Sequence, residues 1–128
     1  MSAPKWLNAV LHEFGEGIYL KSFGFNNANA AAIRFETGVS LRFEYALESL
    51  VITMQIPIVK SSEVMKSLLK YAQPERRPSF RLRVAYLEKA DSAIMAAIIP
   101  ERNANLAMVN SVFNELWLLA EDFRRRIA

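Results

Sequence analysis

Cysteine is absent from this chain of 128 residues, histidine occurs once and glycine four times. Without cysteine there is no disulfide, no thiolate metal site and no thiol nucleophile, and a reducing compartment is compatible with the composition. The lone His12 stands beside Glu13 and Glu16 with no credible serine partner, so an ion-paired residue on a helix face outweighs a catalytic base. Gly15-x-Gly17 lacks the further glycine, the preceding strand and the following helix of a dinucleotide-binding turn, and reads as a helix stop. There is no P-loop. Glu13, Glu16, Glu36, Glu44 and Glu48 are scattered over a helix, strands and a turn, which makes them solvated charges instead of a paired acid and base. Isolated carboxylates are also all that a metal would find. The expectation is a protein with no cofactor, no metal and no catalysis.

Long apolar runs are missing as well. Nothing approaches the roughly 20 apolar residues of a spanning helix, and the opening "MSAPKWLNAVLHEF" has no continuous apolar core of a signal peptide. A soluble, cytoplasmic protein is expected. What is present is 52% hydrophobic and 23% charged residues, the composition of one globular domain over residues 1–128. The net charge of +3 is unevenly placed. Residues 1–50 carry four bases and five acids, residues 60–83 seven and two, and residues 84–128 five and six. All the surplus lies in the middle segment, where it can attract an acidic partner or a phosphate backbone.

Periodicity predicts the elements. Trp6, Leu7, Val10, Leu11 and Phe14 share one helical face from about Pro4 to Phe14, with Ser2 as the expected cap. "IYLKSFGF" reads as a short extended segment and "NNAN" as a loop. From Ala31 the period becomes two, through Ile33 and Phe35, then Val39, Leu41, Phe43 and Tyr45, then Leu50, Ile52, Met54 and Ile56. A helix over "SSEVMKSLLKYAQ" follows, capped by Ser61 or Ser62, with Val64, Met65, Leu68, Leu69 and Ala72 as its apolar stripe. A basic linker "PERRP" leads to the hairpin "FRLRVAYL"–"SAIMAAII", and the longest helix runs from Asn103 or Asn105 to Ile127. The order α-β-β-β-α-β-β-α indicates an α+β domain with a mainly antiparallel sheet.

Two features exceed what such a domain needs. From Ala93 to Ile99 every side chain is apolar, so both faces of that strand would be dry. Trp6, Leu7, Leu11, Leu118 and Leu119 add apolar surface beside stripes that are already sufficient. Burial of a large aliphatic side chain is worth roughly 1.5–3 kcal/mol, so a row of them favours a partner over water. A second copy, or an extended peptide added at a sheet edge, would satisfy it. The basic stretch offers an alternative, a small nucleic-acid-binding module using Arg76, Arg77, Arg81 and Arg83. Against it, Phe80 and Tyr86 alternate onto the face opposite Arg81 and Arg83.

The stretches "WLNAVLHEFGEGIYL", "VSLRFEYALESLVITMQIP", "SSEVMKSLLKYAQ", "FRLRVAYLEKADSAIMAAIIP" and "NELWLLAEDFRRRI" occur in the order seen in the class I type III secretion chaperones, which the chain resembles over nearly its whole length. The resemblance implies a homodimer that wraps an extended N-terminal segment of a secreted effector or gatekeeper in the bacterial cytoplasm, without catalysis. It implies client grooves at Leu7, Leu11, Phe14, Ile33, Phe35, Leu41 and Phe43. It implies a dimer interface at Val64, Leu68, Tyr71, Leu82, Val84 and Ile94. Members of that family are commonly acidic, whereas this chain has a pI near 9.4, which implies an acidic client or a heterodimer with a second chaperone.

Overall fold

The computed structural model describes residues 2–72 and 80–127. The elements are α1 (Lys5–Gly17), β1 (Ala30–Arg34), β2 (Ser40–Ala46), β3 (Ser49–Pro57), α2 (Ser62–Leu69), β4 (Arg81–Leu87), β5 (Ser92–Pro100) and α3 (Leu106–Arg126). This is the expected order. The five strands form one sheet in the order β1-β2-β3-β5-β4, antiparallel throughout. The last hairpin therefore docks through its second strand, so the doubly apolar β5 is an inner strand and β4 an edge.

Among the described residues the sheet is covered on one face only. Along β3, Leu50, Ile52, Met54 and Ile56 are buried, while Val51, Thr53 and Gln55 remain partly exposed. Along β5, Ala93, Met95, Ala97 and Ile99 join the same core as Val109, Val112, Leu116 and Phe123 of α3. Phe14 of α1 meets both Phe43 of β2 and Phe113 of α3, which binds the two long helices to the covered face. Ile94, Ala96 and Ile98 point the other way and stay partly exposed.

Local signals explain most boundaries. Asn105 caps α3 by accepting the Met108 N–H at 2.8 Å, and Ser61 caps α2 by accepting the Val64 N–H at 3.1 Å. The β2–β3 link is a two-residue turn at Leu47 and Glu48, whose φ values of 51° and 57° match the twist of a hairpin although neither residue is glycine. Gly38 supplies φ +89° to the β1–β2 turn.

Four expectations are corrected. Ser2 makes no cap; Pro4 precedes the first turn of α1 and no side chain caps it. Gly15 and Gly17 do not stop α1, which runs through both; the chain turns after it at Tyr19 and Ser22, with φ 65° and 58°. The segment "IYLKSFGF" is a turn-rich loop, because Phe23 and Phe25 pack onto the core individually instead of alternating along a strand. In α2, Leu69 is exposed, and Tyr71 in the following single turn takes the buried place. Leu69 lies about 100° round the helix from the buried Leu68, away from the stripe of Val64 and Leu68.

Gly15 has a different duty. A Cβ there would lie 2.5 Å from the Phe23 Cβ, so the absent side chain lets the loop close against the helix. Gly15→Ala is expected to destabilise the fold by about 1–3 kcal/mol through overpacking. Gly17→Ala meets nothing within 4 Å and is expected to stabilise it by up to about 1 kcal/mol. Urea unfolding of the two variants beside the parent measures both.

Candidate functional site

Two surfaces stand out once the core is subtracted. The first is the free edge of β1. The loop after α1 is held to the helix by the Phe23 contact and by Asn8, whose Oδ1 accepts the Phe25 N–H at 2.8 Å. Gly24 allows this approach, since a Cβ there would come within 2.6 Å of that oxygen. Asn26 then turns the chain into β1 by accepting the Ala28 and Ala30 N–H groups at 2.8 and 3.1 Å. Between this loop and the strand lies an open cleft of about 530 Å³, walled by Leu20, Phe23 and Gly24 on one side and Ala31 to Arg34 on the other. An edge strand beside a cleft offers unpaired main-chain groups together with space for side chains.

The second surface is the outer face of the sheet. Val51 of β3 and Ile94, Ala96 and Ile98 of β5 form its centre, and register places Arg81, Arg83, Ala85 and Leu87 of β4 beside them. Both arginines leave the same face, as alternation predicts, while Phe80 is buried and Tyr86 donates its hydroxyl to the Ile58 carbonyl at 2.7 Å. Among the described residues of this hairpin, therefore, neither Phe80 nor Tyr86 joins Arg81 and Arg83 to stack a base. Arg76 and Arg77 lie outside the described residues.

The residues expected to grip a client divide sharply. Leu7, Leu11, Phe14, Leu41 and Phe43 lie in this chain's own core with at most 2% of their surface exposed. They have nothing to offer a partner, because the stripe of α1 and the inner face of β2 bury each other. Ile33 and Phe35 are only half-buried; Ile33 lines the cleft, while Phe35 packs edge-on to Trp117 at 5.1 Å. Of the expected interface residues, Val64, Leu68 and Tyr71 are likewise buried internally. Leu82 and Val84 face the covered side under α2, and Ile94 alone is on the outer face. Missed by periodicity were Val51, Ala96 and Ile98, whose exposure depends on which face the helices choose. The doubly apolar β5 was the signal for them.

Polar ties lock the helical side. Tyr71 donates its hydroxyl to Asp122, which also accepts from the Arg126 Nε at 3.0 Å. Burial, aided by the Asp122 carboxylate, pushes the Tyr71 phenol up to about 12, and the bonds from Tyr71 and Arg126 hold Asp122 below its ordinary value. Tyr45 similarly donates to Glu101, joining β2 to the turn after β5. Among the described residues no group of three or more His, Asp or Glu side chains could hold a metal ion. No helix among them is long and apolar enough to cross a membrane.

No protein-family profile and no curated sequence matches the chain. Solved structures do. A chain in the ExsC–ExsE complex superposes with a TM-score of 0.82 at 19% identity, covering 98% of this chain and 96% of the other. The chain has the fold of the type III secretion chaperones. The Yersinia pestis type III secretion chaperone SycH in complex with a YscM2 fragment gives 0.68 at 18% identity, covering 91% of this chain and 98% of that one. The HopA1–SchA chaperone–effector complex gives 0.67 at 18% identity, over 94% and 92% of the respective chains. The secretion-chaperone fold thus spans the chain end to end, which accounts for an arrangement of elements that matches while the residues do not.

Two outcomes follow from the burial and the ties. Phe43→Ala is expected to cost about 3–5 kcal/mol, whereas Ile33→Ala, on the edge strand, is expected to cost far less; thermal melts compare them. Because the folded Asp122 titrates below its unfolded value, its stabilisation is complete above about pH 4 and is lost as pH falls through the lowered value. Asp122→Asn should therefore flatten the acid limb of a stability–pH curve.

Proposed function

We propose that this protein is a secretion chaperone that holds an extended N-terminal segment of a secreted effector or gatekeeper and keeps it competent for export. The observation that carries this reading is the β1 edge, open beyond Ala30 among the described residues, with its adjoining cleft. Sheet edges capture extended peptides by main-chain bonding, and pockets beside the edge select alternate side chains. Ile33, with Leu20 and Phe23 opposite, supplies the apolar contacts at that cleft, and Arg34 the polar rim. Solved chains of the same fold come from complexes with an effector or a partner fragment, which supports the same use here.

The protein performs no reaction on this reading. It works in the bacterial cytoplasm by denying the client segment a collapsed or aggregated state. A second chaperone subunit covers the outer sheet face around Ile94. The contrary choice of edge is disfavoured because β4 carries the exposed Arg81 and Arg83, and charged edge strands resist strand addition.

Co-expression with the N-terminal segments of secreted proteins encoded nearby tests the proposal. The expected result is a stable complex in which the amides of Ala32 and Arg34, which point away from β2, exchange about tenfold more slowly than in the free chain. Ile33→Asp should weaken the complex without unfolding the chaperone. Absence of any complex, or a complex with unchanged exchange along β1, overturns the assignment.

A further inference from the structure

The open part of the β1 edge is short, and the charges beside it have one sign. The Phe35 N–H donates to the Val39 carbonyl at 2.9 Å, so alternation turns the Ala31 and Ile33 amides toward β2 and the Ala32 and Arg34 amides away from it. Asn26 has already taken the N–H and the carbonyl of Ala30, at 3.1 and 2.8 Å. An added strand is thereby confined to Ala32 and Arg34. The charged residues lining the cleft are Lys21 on the loop and Arg34 on the strand, with no carboxylate among the described residues there. Neither base has an acid within ion-pairing distance among the described residues. Arg42 on β2 is held by Glu44 at 3.0 Å, and Glu36 lies in the turn beyond Arg34, outside the cleft.

We infer that Arg34, with Lys21 across the cleft, selects client segments that carry an aspartate or glutamate directly opposite Arg34, next to an apolar residue that turns inward. Such selection rests on the β1 edge serving as the client site, and adds the residue that chooses among clients. Side chains directly opposite on paired strands share a face, with Cβ atoms about 5 Å apart. Ala32 and Arg34 are exposed, whereas Ala31 is buried and Ile33 half-buried. The client residue opposite Arg34 therefore faces outward with it, and the residue opposite Ile33 turns inward. That inward residue meets Ile33, Leu20 and Phe23, which suit an apolar group and offer a charge no partner.

Charge then fixes register. Many segments alternate apolar and polar residues, and main-chain bonding alone does not tell them apart. A slip by one residue would drive the acid into the apolar side of the cleft and leave an apolar side chain beside Arg34. A lysine opposite Arg34 would add a third positive charge to a mouth that holds two, and like charges so placed reject the wrong partner. Arginine suits the position because its planar head grips a carboxylate through paired hydrogen bonds. The preference is hidden in the charge count, since residues 1–50 carry five acids against four bases.

Short synthetic peptides with the core Val-Xaa-Val, where Xaa is aspartate, asparagine or lysine, are the probes. Titration followed through the Ala32 and Arg34 amide signals by nuclear magnetic resonance should show the aspartate peptide binding about tenfold tighter than the lysine peptide, with asparagine between. The gap should shrink when salt rises from ~50 to ~500 mM. Arg34→Glu should invert the order, so that the lysine peptide binds best, and Lys89→Glu, in the turn between β4 and β5, should leave it unchanged. Circular dichroism checks folding; Arg34→Gln, which should narrow the gap to about twofold, serves if Arg34→Glu misfolds. Equal binding of all three peptides at Ala32 and Arg34 overturns the selection and leaves the edge as client site. A preference for aspartate that stays whole in Arg34→Gln overturns it by placing acid recognition elsewhere. No response of Ala32 or Arg34 to any peptide overturns it together with the edge itself.

Discussion

The structure depends on one unbalanced constraint: β5 is apolar on both faces, yet the three helices lie on only one side of the sheet. Its inward residues Ala93, Met95, Ala97 and Ile99 join β3 to α3, and the small alanines let the long helix approach the sheet closely. Burial of this kind supplies most of the stability of a chain of this size. The outward residues Ile94, Ala96 and Ile98 are the remainder of that arrangement.

The same one-sided packing sets the geometry at the opposite end of the sheet. With α1 drawn down by Leu7, Leu11 and Phe14, its connection to β1 has to return over a short distance. Gly15 and Gly24 make that return tight by removing side chains where the loop meets α1. The loop bonds β1 at its start, where Asn26 engages both the N–H and the carbonyl of Ala30, and among the described residues it leaves the edge open beyond that point, at Ala32 and Arg34. Packing of aromatic rings around Phe14, Phe23, Phe43 and Phe113 stiffens the floor of this arrangement.

Two exposed features, the β1 edge and the outer face of the sheet, stand apart from the packed core. The polar groups that are buried or half-buried, Tyr71 with Asp122 and Tyr45 with Glu101, connect elements that are distant in sequence. They act as fasteners between helices and strands. The two exposed features differ in what they can bind. An unpaired strand edge recognises main chain, while a fully paired sheet face recognises only the shape, greasiness and charge of side chains.

Much was legible before any coordinates. Period two through Leu50, Ile52, Met54 and Ile56, the Ser61 and Asn105 caps, and the six-turn stripe of the last helix determined the elements and their order, because these signals are local and repeat along the chain. The resemblance to secretion chaperones rests on that order. Which apolar residues stay available was decided only by tertiary structure. Leu41 and Ile33 carry the same alternating signature, but one lies inside the sheet under two helices and the other on its edge. Gly15 reads as a terminator in isolation and proves to be a contact, since the Phe23 that needs its space arrives from beyond a turn. Sequence period records that a side chain is suited to burial; whether its own chain or another molecule buries it depends on strand order and on the face the helices occupy, which are non-local.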